Sequence, residues 1–263
     1  MIGLHFFMNI LDKIPNNIQL TEQEKNEIRK KRQAVLEERY ANSQQQLKHQ
    51  AIANMLSRSL FSNDKAFDGT IDDLYKALEQ LPFDIDKHEL DLRLQLINKL
   101  KEYITNDIKF FSEGNNIFLY GKPGAGKTFT AEAVMNTFMK KGYATLFINT
   151  NTLKDLIYQS FRDDSKKEQL YALNNFANRC DLLILDDLGT ESSNSLQNYR
   201  EANDVIQQTM YGMIDARSSK PVLVTSNFNR EELSNVYSEK IISRLLPKHH
   251  GLALNFNNFD DLR

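Results

Sequence analysis

Gly121-Lys122-Pro123-Gly124-Ala125-Gly126-Lys127-Thr128 is the stretch whose reading decides the fold of this 263-residue chain. It satisfies the pattern G-x-x-x-x-G-K-[ST] at every fixed position, the signature of a P-loop. Each residue type has a physical task. The glycines let the backbone curl until its N–H groups face phosphate oxygens, the lysine brings a point charge to the β and γ phosphates, and the hydroxyl is a ligand for Mg²⁺. By average residue frequencies the pattern arises by chance in roughly 1% of chains this long. The expected nucleotide contacts are therefore Gly121, Pro123, Gly124, Ala125, Gly126, Lys127 and Thr128, with Phe129 directly after them.

The flanks agree with this reading. Asn116-Ile-Phe-Leu-Tyr120 is a short apolar run that reads as a buried strand, and Thr128 to Lys141 reads as a helix with Ala131, Val134, Met135 and Phe138 on one face. Gly142 is placed to end it. Further strands are expected at Ala144–Ile148, Leu182–Leu185 and Pro221–Thr225, with helices at Leu153–Phe161, Leu170–Ala177 and Asn203–Ile214 between them. Strands alternating with helices predict an α/β fold, a parallel sheet flanked by helices. Active-site groups then collect at the carboxyl ends of the strands.

Two such ends carry polar groups. Leu182-Leu-Ile-Leu185 runs into Asp186-Asp187, which places the first acid to bind a metal ion and the second to orient water. Aspartate at position 187 is one methylene shorter than glutamate, a difference that bears on how well that water is placed. Thr225-Ser-Asn227 closes the next strand. Asn227 reads either as a group reaching the γ-phosphate or the attacking water, or as an Asx turn before the helix at Arg230. Arg244, within Ile241-Ile-Ser-Arg-Leu-Leu246, reads either as a snorkelling side chain or as an arginine that stabilises transition-state charge from a neighbouring subunit.

Upstream, Thr21-Glu-Gln-Glu24 is a capping box. The sequence from there to Leu56 lacks Gly and Pro and carries sparse apolar residues, which reads as a solvated or partner-binding helix. The basic run Arg29-Lys-Lys-Arg32 is flanked by acids and reads as a solvated face. Turn chemistry over Ser62–Thr70 marks a boundary, and helical stretches are expected near Ile71–Leu81 and His88–Ile104. Three segments follow: a helical region over 1–65, a linker over 66–89 and an ATPase-type domain over 90–263.

Bulk properties set outer limits. The chain is 41% hydrophobic and 26% charged, with a formal net charge of −2, so nothing global draws it to nucleic acid or an anionic membrane. The lone Cys180 reads as a buried, inert thiol and cannot build a cysteine zinc site. The apolar start, Met1–Met8, is too short to span a bilayer and lacks the features of a secretory signal, so a cytoplasmic protein is expected. The five histidines do not cluster with carboxylates, and His249-His250 reads as a surface turn.

Taken together, the P-loop, Asp181-Leu-Leu-Ile-Leu-Asp-Asp-Leu-Gly189, Thr225-Ser-Asn227 and Ser243-Arg244-Leu245 resemble the DnaC/DnaI-type replicative helicase loaders. These are AAA+ ATPases related to the transposition helper IstB. The resemblance covers about residues 90 to 263, including Tyr211–Arg217 and the turn Ser218–Pro221, where Arg217 matches a basic position common in the family. It implies an AAA+ P-loop fold preceded by a small helical domain, and ATP with Mg²⁺ held by Lys127, Thr128 and Asp186. It further implies Asp187 as the second Walker B acid, Asn227 as sensor 1, Arg244 as the arginine finger and Arg263 as a sensor 2 arginine.

The resemblance also implies partners: a hexameric replicative helicase gripped by the N-terminal region, copies of the chain itself, and single-stranded DNA. Lys154, Tyr158, Phe161 and Arg162 are the matching DNA positions, with charge and stacking to offer. An amphipathic core helix explains Leu153, Leu156, Ile157 and Phe161 equally well. A transposition helper and a nucleotide-gated helicase-binding protein with little turnover are the alternatives that share this ATPase core.

Overall fold

The structure is a computed structural model in which residues 67–80, 86–106, 110–111, 115–190, 204–215, 217, 220–248 and 251–261 are described, together with Lys30. All but Lys30 belong to one compact unit, Gln46–Arg263, and the fold below is that unit's. The expected helix over 21–56, the capping box at Thr21, His249-His250 and Arg263 lie outside the described residues.

In chain order the elements are helix α1 (Ile71–Glu79), α2 (Lys87–Thr105), strand β1 (Ile117–Tyr120), α3 (Lys127–Lys140) and β2 (Thr145–Asn149). There follow α4 (Thr150–Ser160), α5 (Asp164–Arg179), β3 (Leu182–Asp186), α6 (Asp204–Asp215) and β4 (Val222–Ser226). Helices α7 (Arg230–Ser234) and α8 (Glu239–Leu245) then lead to β5 (Leu252–Asn255). The five strands form one sheet in the order β2-β3-β4-β1-β5, and every pairing is parallel.

Successive residues of a strand face opposite sides of a sheet, and here both sides are covered. Ile117, Leu119, Ile184 and Leu223 pack with α1, α2 and α3. Phe118, Leu183, Leu185 and Val224 pack with α4, α5, α6 and α8. This is the three-layer arrangement expected when parallel strands are joined by helical crossovers. With a P-loop leaving the strand between β4 and β5, it is the AAA+ P-loop fold.

Two features depart from the expected layout. Helix α1 falls in the stretch read as a linker, yet Thr70 and Asp73 cap it reciprocally and it buries Ile71 and Leu78. Leu78, Ile97 of α2 and Val134 of α3 share one apolar cluster, so the packed body begins well before residue 90. In α4, Leu153, Leu156 and Ile157 are buried as an amphipathic helix requires, but Phe161 is 63% exposed just past its end and is no part of the core.

Arg217 has a structural role at the end of the sheet away from the P-loop. Buried to 3% exposure, its guanidinium donates to the carbonyls of Ala177, Cys180, Asp181 and Pro221 and to Cys180 Sγ. It ties the end of α5 to the starts of β3 and β4. Cys180 beside it is buried, and burial pushes its thiol pKa up, as an inert cysteine requires. Arg217→Ala strands several buried carbonyls and is expected to lower unfolding free energy by about 3 kcal/mol. Urea denaturation checks this, with nucleotide affinity unchanged at temperatures where the variant is folded.

Candidate functional site

The sheet order explains the site. Strand β4 lies between β1, which feeds the P-loop, and β3, which ends in Asp186. Groups at the carboxyl end of β4 therefore reach both neighbours. A cleft of about 570 Å³ opens there, lined at one end by the P-loop, Asp186, Asp187 and Asn227, and at the other by apolar side chains that include Phe67, Leu78 and Ile97.

The P-loop curls as its glycines permit. Gly124 and Gly126 have φ of +78° and +96°, the left-handed region that side chains resist. Gly126 precedes the first turn of α3, so the unpaired N–H groups of that helix end and its positive dipole face the cleft. Lys127 sits at the same helix end, buried to 5% exposure, with Nζ donating to Gly121 O (2.8 Å), Lys122 O (2.6 Å) and Asn227 Oδ1 (2.9 Å). Pro123 and Phe129 line the cleft, and Phe129 is 46% exposed. Ala125 turns its carbonyl to the buried Arg93 of α2, which also donates to Asp260 O and pairs with Glu89.

Thr128 Oγ1 donates to Asp186 Oδ1 at 3.0 Å. The same carboxylate oxygen accepts from Thr225 Oγ1 at 2.6 Å, and Asn149 Nδ2, at the end of β2, lies 3.4 Å from Oδ2. Asp186 is 3% exposed, and burial raises its pKa to about 6, helped by the negative charge of Asp187 and opposed by hydrogen bonds from Thr225, Thr128 and Asn149. A hydroxyl and a desolvated carboxylate side by side, next to a phosphate-binding loop, are a donor set that fits a hard divalent cation such as Mg²⁺, which keeps most of its shell as water and phosphate oxygens.

Asp187 adopts φ +58°, a left-handed conformation rare outside glycine that costs on the order of 1–3 kcal/mol. The neighbouring threonines hold it there. Its N–H donates to Thr225 Oγ1, and its carbonyl accepts from the Thr150 and Thr190 hydroxyls and from Thr190 N. Asp187 lines the cleft beside Asp186.

Three site residues escaped the sequence reading. Thr225 serves both acids, although only Asn227 of Thr225-Ser-Asn227 was expected to act. Asn149 is brought beside Asp186 by strand register. Glu132 of α3 is 3% exposed and lines the cleft. No local pattern marks Asn149 or Glu132.

Burial raises the Glu132 pKa to about 7; a hydrogen bond from Phe67 N opposes the shift and the charge of Asp186 adds to it. A raised carboxyl pKa means the folded protein holds the proton more tightly than the unfolded chain. The cost of ionising Glu132 is therefore absent below the unfolded value near 4.5, grows as pH rises, and is complete above about 7. Glu132→Gln is expected to match the wild type in stability at pH 4.5 and to exceed it at pH 8, by up to about 3 kcal/mol. Calorimetry at the two pH values without nucleotide or metal checks the sign.

The remaining predicted residues lie elsewhere. Arg244 donates to Lys240 O, pairs with Asp215 at 3.0 Å and stacks over Tyr211 with 4.9 Å to the ring centroid. Tyr158, Phe161 and Arg162 line a shallow surface hollow with Lys166, and Lys154 lies one turn earlier on α4. Tyr158 and Phe161 are exposed, as is Tyr171 of α5, which the sequence reading did not single out.

The profile of the family described as IstB-like ATP binding protein matches residues 71–258, more than two thirds of the chain. The protein belongs to that family. The match spans the P-loop, both acids, Asn227 and Arg244, and its first residue is the first of α1.

Among curated relatives, the chain is 28% identical over 144 residues to the replicative helicase loader DnaI of Bacillus subtilis, covering 53% of this chain and 43% of DnaI. It is 25% identical over 159 residues to the replicative helicase loader DnaC of Escherichia coli, covering 60% of this chain and 59% of DnaC. The aligned region thus spans about half the length of these relatives. A solved structure described as the DnaC helicase loader superposes with a TM-score of 0.49 at 19% identity, covering 73% of this chain and 99% of that one. No helix among the described residues is long and apolar enough to cross a membrane.

Proposed function

We propose that this protein is an ATPase that helps place a hexameric replicative DNA helicase on single-stranded DNA. The observation that carries the reading is the likeness to two relatives named replicative helicase loaders, and the described cleft is compatible with ATP chemistry. In this reading the N-terminal region, residues 1–65, grips the helicase, and the ATPase domains of several copies associate.

The P-loop N–H groups and Lys127 bind the phosphate chain. Thr128 and Asp186 would hold Mg²⁺, which would supply charge neutralisation to the phosphate chain. Asp187 orients the attacking water and accepts its proton. Asn227, whose Oδ1 is taken by Lys127, offers its amide NH₂ to the γ-phosphate or that water. Arg244 reaches the nucleotide of a neighbouring copy by exchanging its half-exposed pair with Asp215, a kind of contact worth only about 0–1 kcal/mol. Arg263 adds a contact from the C-terminal end. Lys154, Tyr158, Phe161 and Arg162 contact single-stranded DNA through charge and base stacking.

The test is helicase loading: displacement of an oligonucleotide annealed to a single-stranded circle by the host's replicative helicase, with and without this protein and ATP. Stimulation that needs ATP supports the reading. Mixing in Arg244→Ala is expected to depress activity more than in proportion to its share, because one defective copy spoils its neighbour's site. No stimulation, together with an ATP-dependent complex with a transposase, would favour the transposition helper that the family's name admits.

A further inference from the structure

One polar stripe of α3 grips the backbone of the chain just before α1. Glu132 Oε2 accepts from Phe67 N at 2.6 Å, Asn136 Nδ2 donates to Phe67 O at 2.8 Å and to Gly69 O at 3.0 Å, and Thr137 Oγ1 accepts from Ile71 N at 2.9 Å. Glu132 and Asn136, four residues apart, project from the same face of α3, and Thr137 follows Asn136 directly on the helix. The helix they project from begins at Lys127, so the residues that hold the strap and those that hold phosphate are on one rigid element.

The strap delivers a ring to the cleft. Phe67 lines it, with its centroid 6.0 Å from that of Phe129. A cleft lined by the P-loop at one end and by Phe67, Leu78 and Ile97 at the other matches a ligand with a charged tail and a flat apolar head. Glu132 is the buried member of the stripe, at 3% exposure. A carboxylate is removed from water at this point, and its directed contact is the Phe67 amide.

We propose that Glu132 is a positioning residue: with Asn136 and Thr137 it clasps Phe67–Ile71 onto α3, so that Phe67 forms a wall for the nucleobase. The inference rests on the reading of the cleft as a nucleoside triphosphate site. It separates two contributions to affinity. The P-loop, Lys127 and Thr128 bind the phosphate chain whether or not the clasp is closed, while contact with the base depends on it.

Calorimetric titration of the full chain with ATP and with inorganic tripolyphosphate, both with Mg²⁺, tests this. Glu132→Ala is expected to weaken ATP about tenfold, the scale of one lost stacking partner, and to leave tripolyphosphate within about twofold of wild type. Glu132→Gln keeps an oxygen that accepts from Phe67 N and is expected to bind ATP as the wild type does. Asn136→Ala opens the clasp independently without touching the carboxylate and is expected to reproduce the Glu132→Ala pattern. Faster amide exchange at Phe67 is expected in Glu132→Ala.

Wild-type affinity for ATP in both alanine variants, or equal losses for ATP and tripolyphosphate, would overturn the proposal. Wild-type protein that binds tripolyphosphate as tightly as ATP would remove the base wall and leave the phosphate site standing. Wild-type protein that binds neither would overturn the nucleotide reading itself, and this inference with it.

Discussion

Lys127→Ala is expected to weaken Mg²⁺–ATP binding at least about a hundredfold and to abolish hydrolysis. The ammonium is buried at the head of α3, where it is surrounded by the Gly121 and Lys122 carbonyls and Asn227 Oδ1. Removing it takes away a positive charge where a triphosphate carries its greatest negative charge, in a cleft where water screens little. Charge-assisted hydrogen bonds in such a place are about twice as strong as neutral ones, and a hundredfold is about 2.7 kcal/mol. The fold should survive, because alanine suits the first turn of a helix. Equilibrium titration with a fluorescent ATP analogue and a matched far-UV spectrum check both halves.

Asp186→Asn is expected to leave nucleotide binding without metal nearly intact, to remove most of the gain that Mg²⁺ gives, and to lower turnover by about a thousandfold. Asparagine retains an oxygen that accepts from Thr225 and Thr128 but supplies no charge to a cation. The acid's titration gives a second readout. With its pKa raised to about 6, Asp186 loses its charge as pH falls through that value, so Mg²⁺-dependent ATP affinity in the wild type should decline between pH 7 and pH 5. The asparagine variant should show a flatter profile over the same window. Titrations at several fixed pH values, with and without Mg²⁺, separate the two proteins.

Both variants touch residues that were legible in the sequence, and the reason is physical. A phosphate-binding turn needs glycines, a lysine and a hydroxyl at fixed chain positions, so the demand is written in eight consecutive residues. A metal-binding acid at the end of a buried strand is likewise local: four apolar residues, then Asp186. The parallel sheet followed from strands alternating with helices, and its boundaries shifted by only a residue or so.

What escaped depends on contacts between distant segments. Thr225 and Asn149 meet Asp186 because β4 and β2 flank β3, and strand order is not a property of any one stretch. Glu132 looks like an ordinary helix-forming residue until Phe67, 65 positions earlier, is laid across it. The same strap explains why residues 67–79 pack against α3, although the turn chemistry around Ser62–Thr70 reads as a break. Phe161 shows the limit of periodicity. Its spacing from Ile157 suits a buried face, but α4 ends at Ser160 and the ring turns to solvent.

The most direct test of the loading assignment is size-exclusion chromatography with light scattering on this protein mixed with its host's replicative helicase, with and without ATP. A shared peak is expected whose mass fits a helicase hexamer carrying several copies of this chain, responsive to ATP and disturbed by Lys127→Ala. Separate elution of the two proteins under both conditions would contradict it.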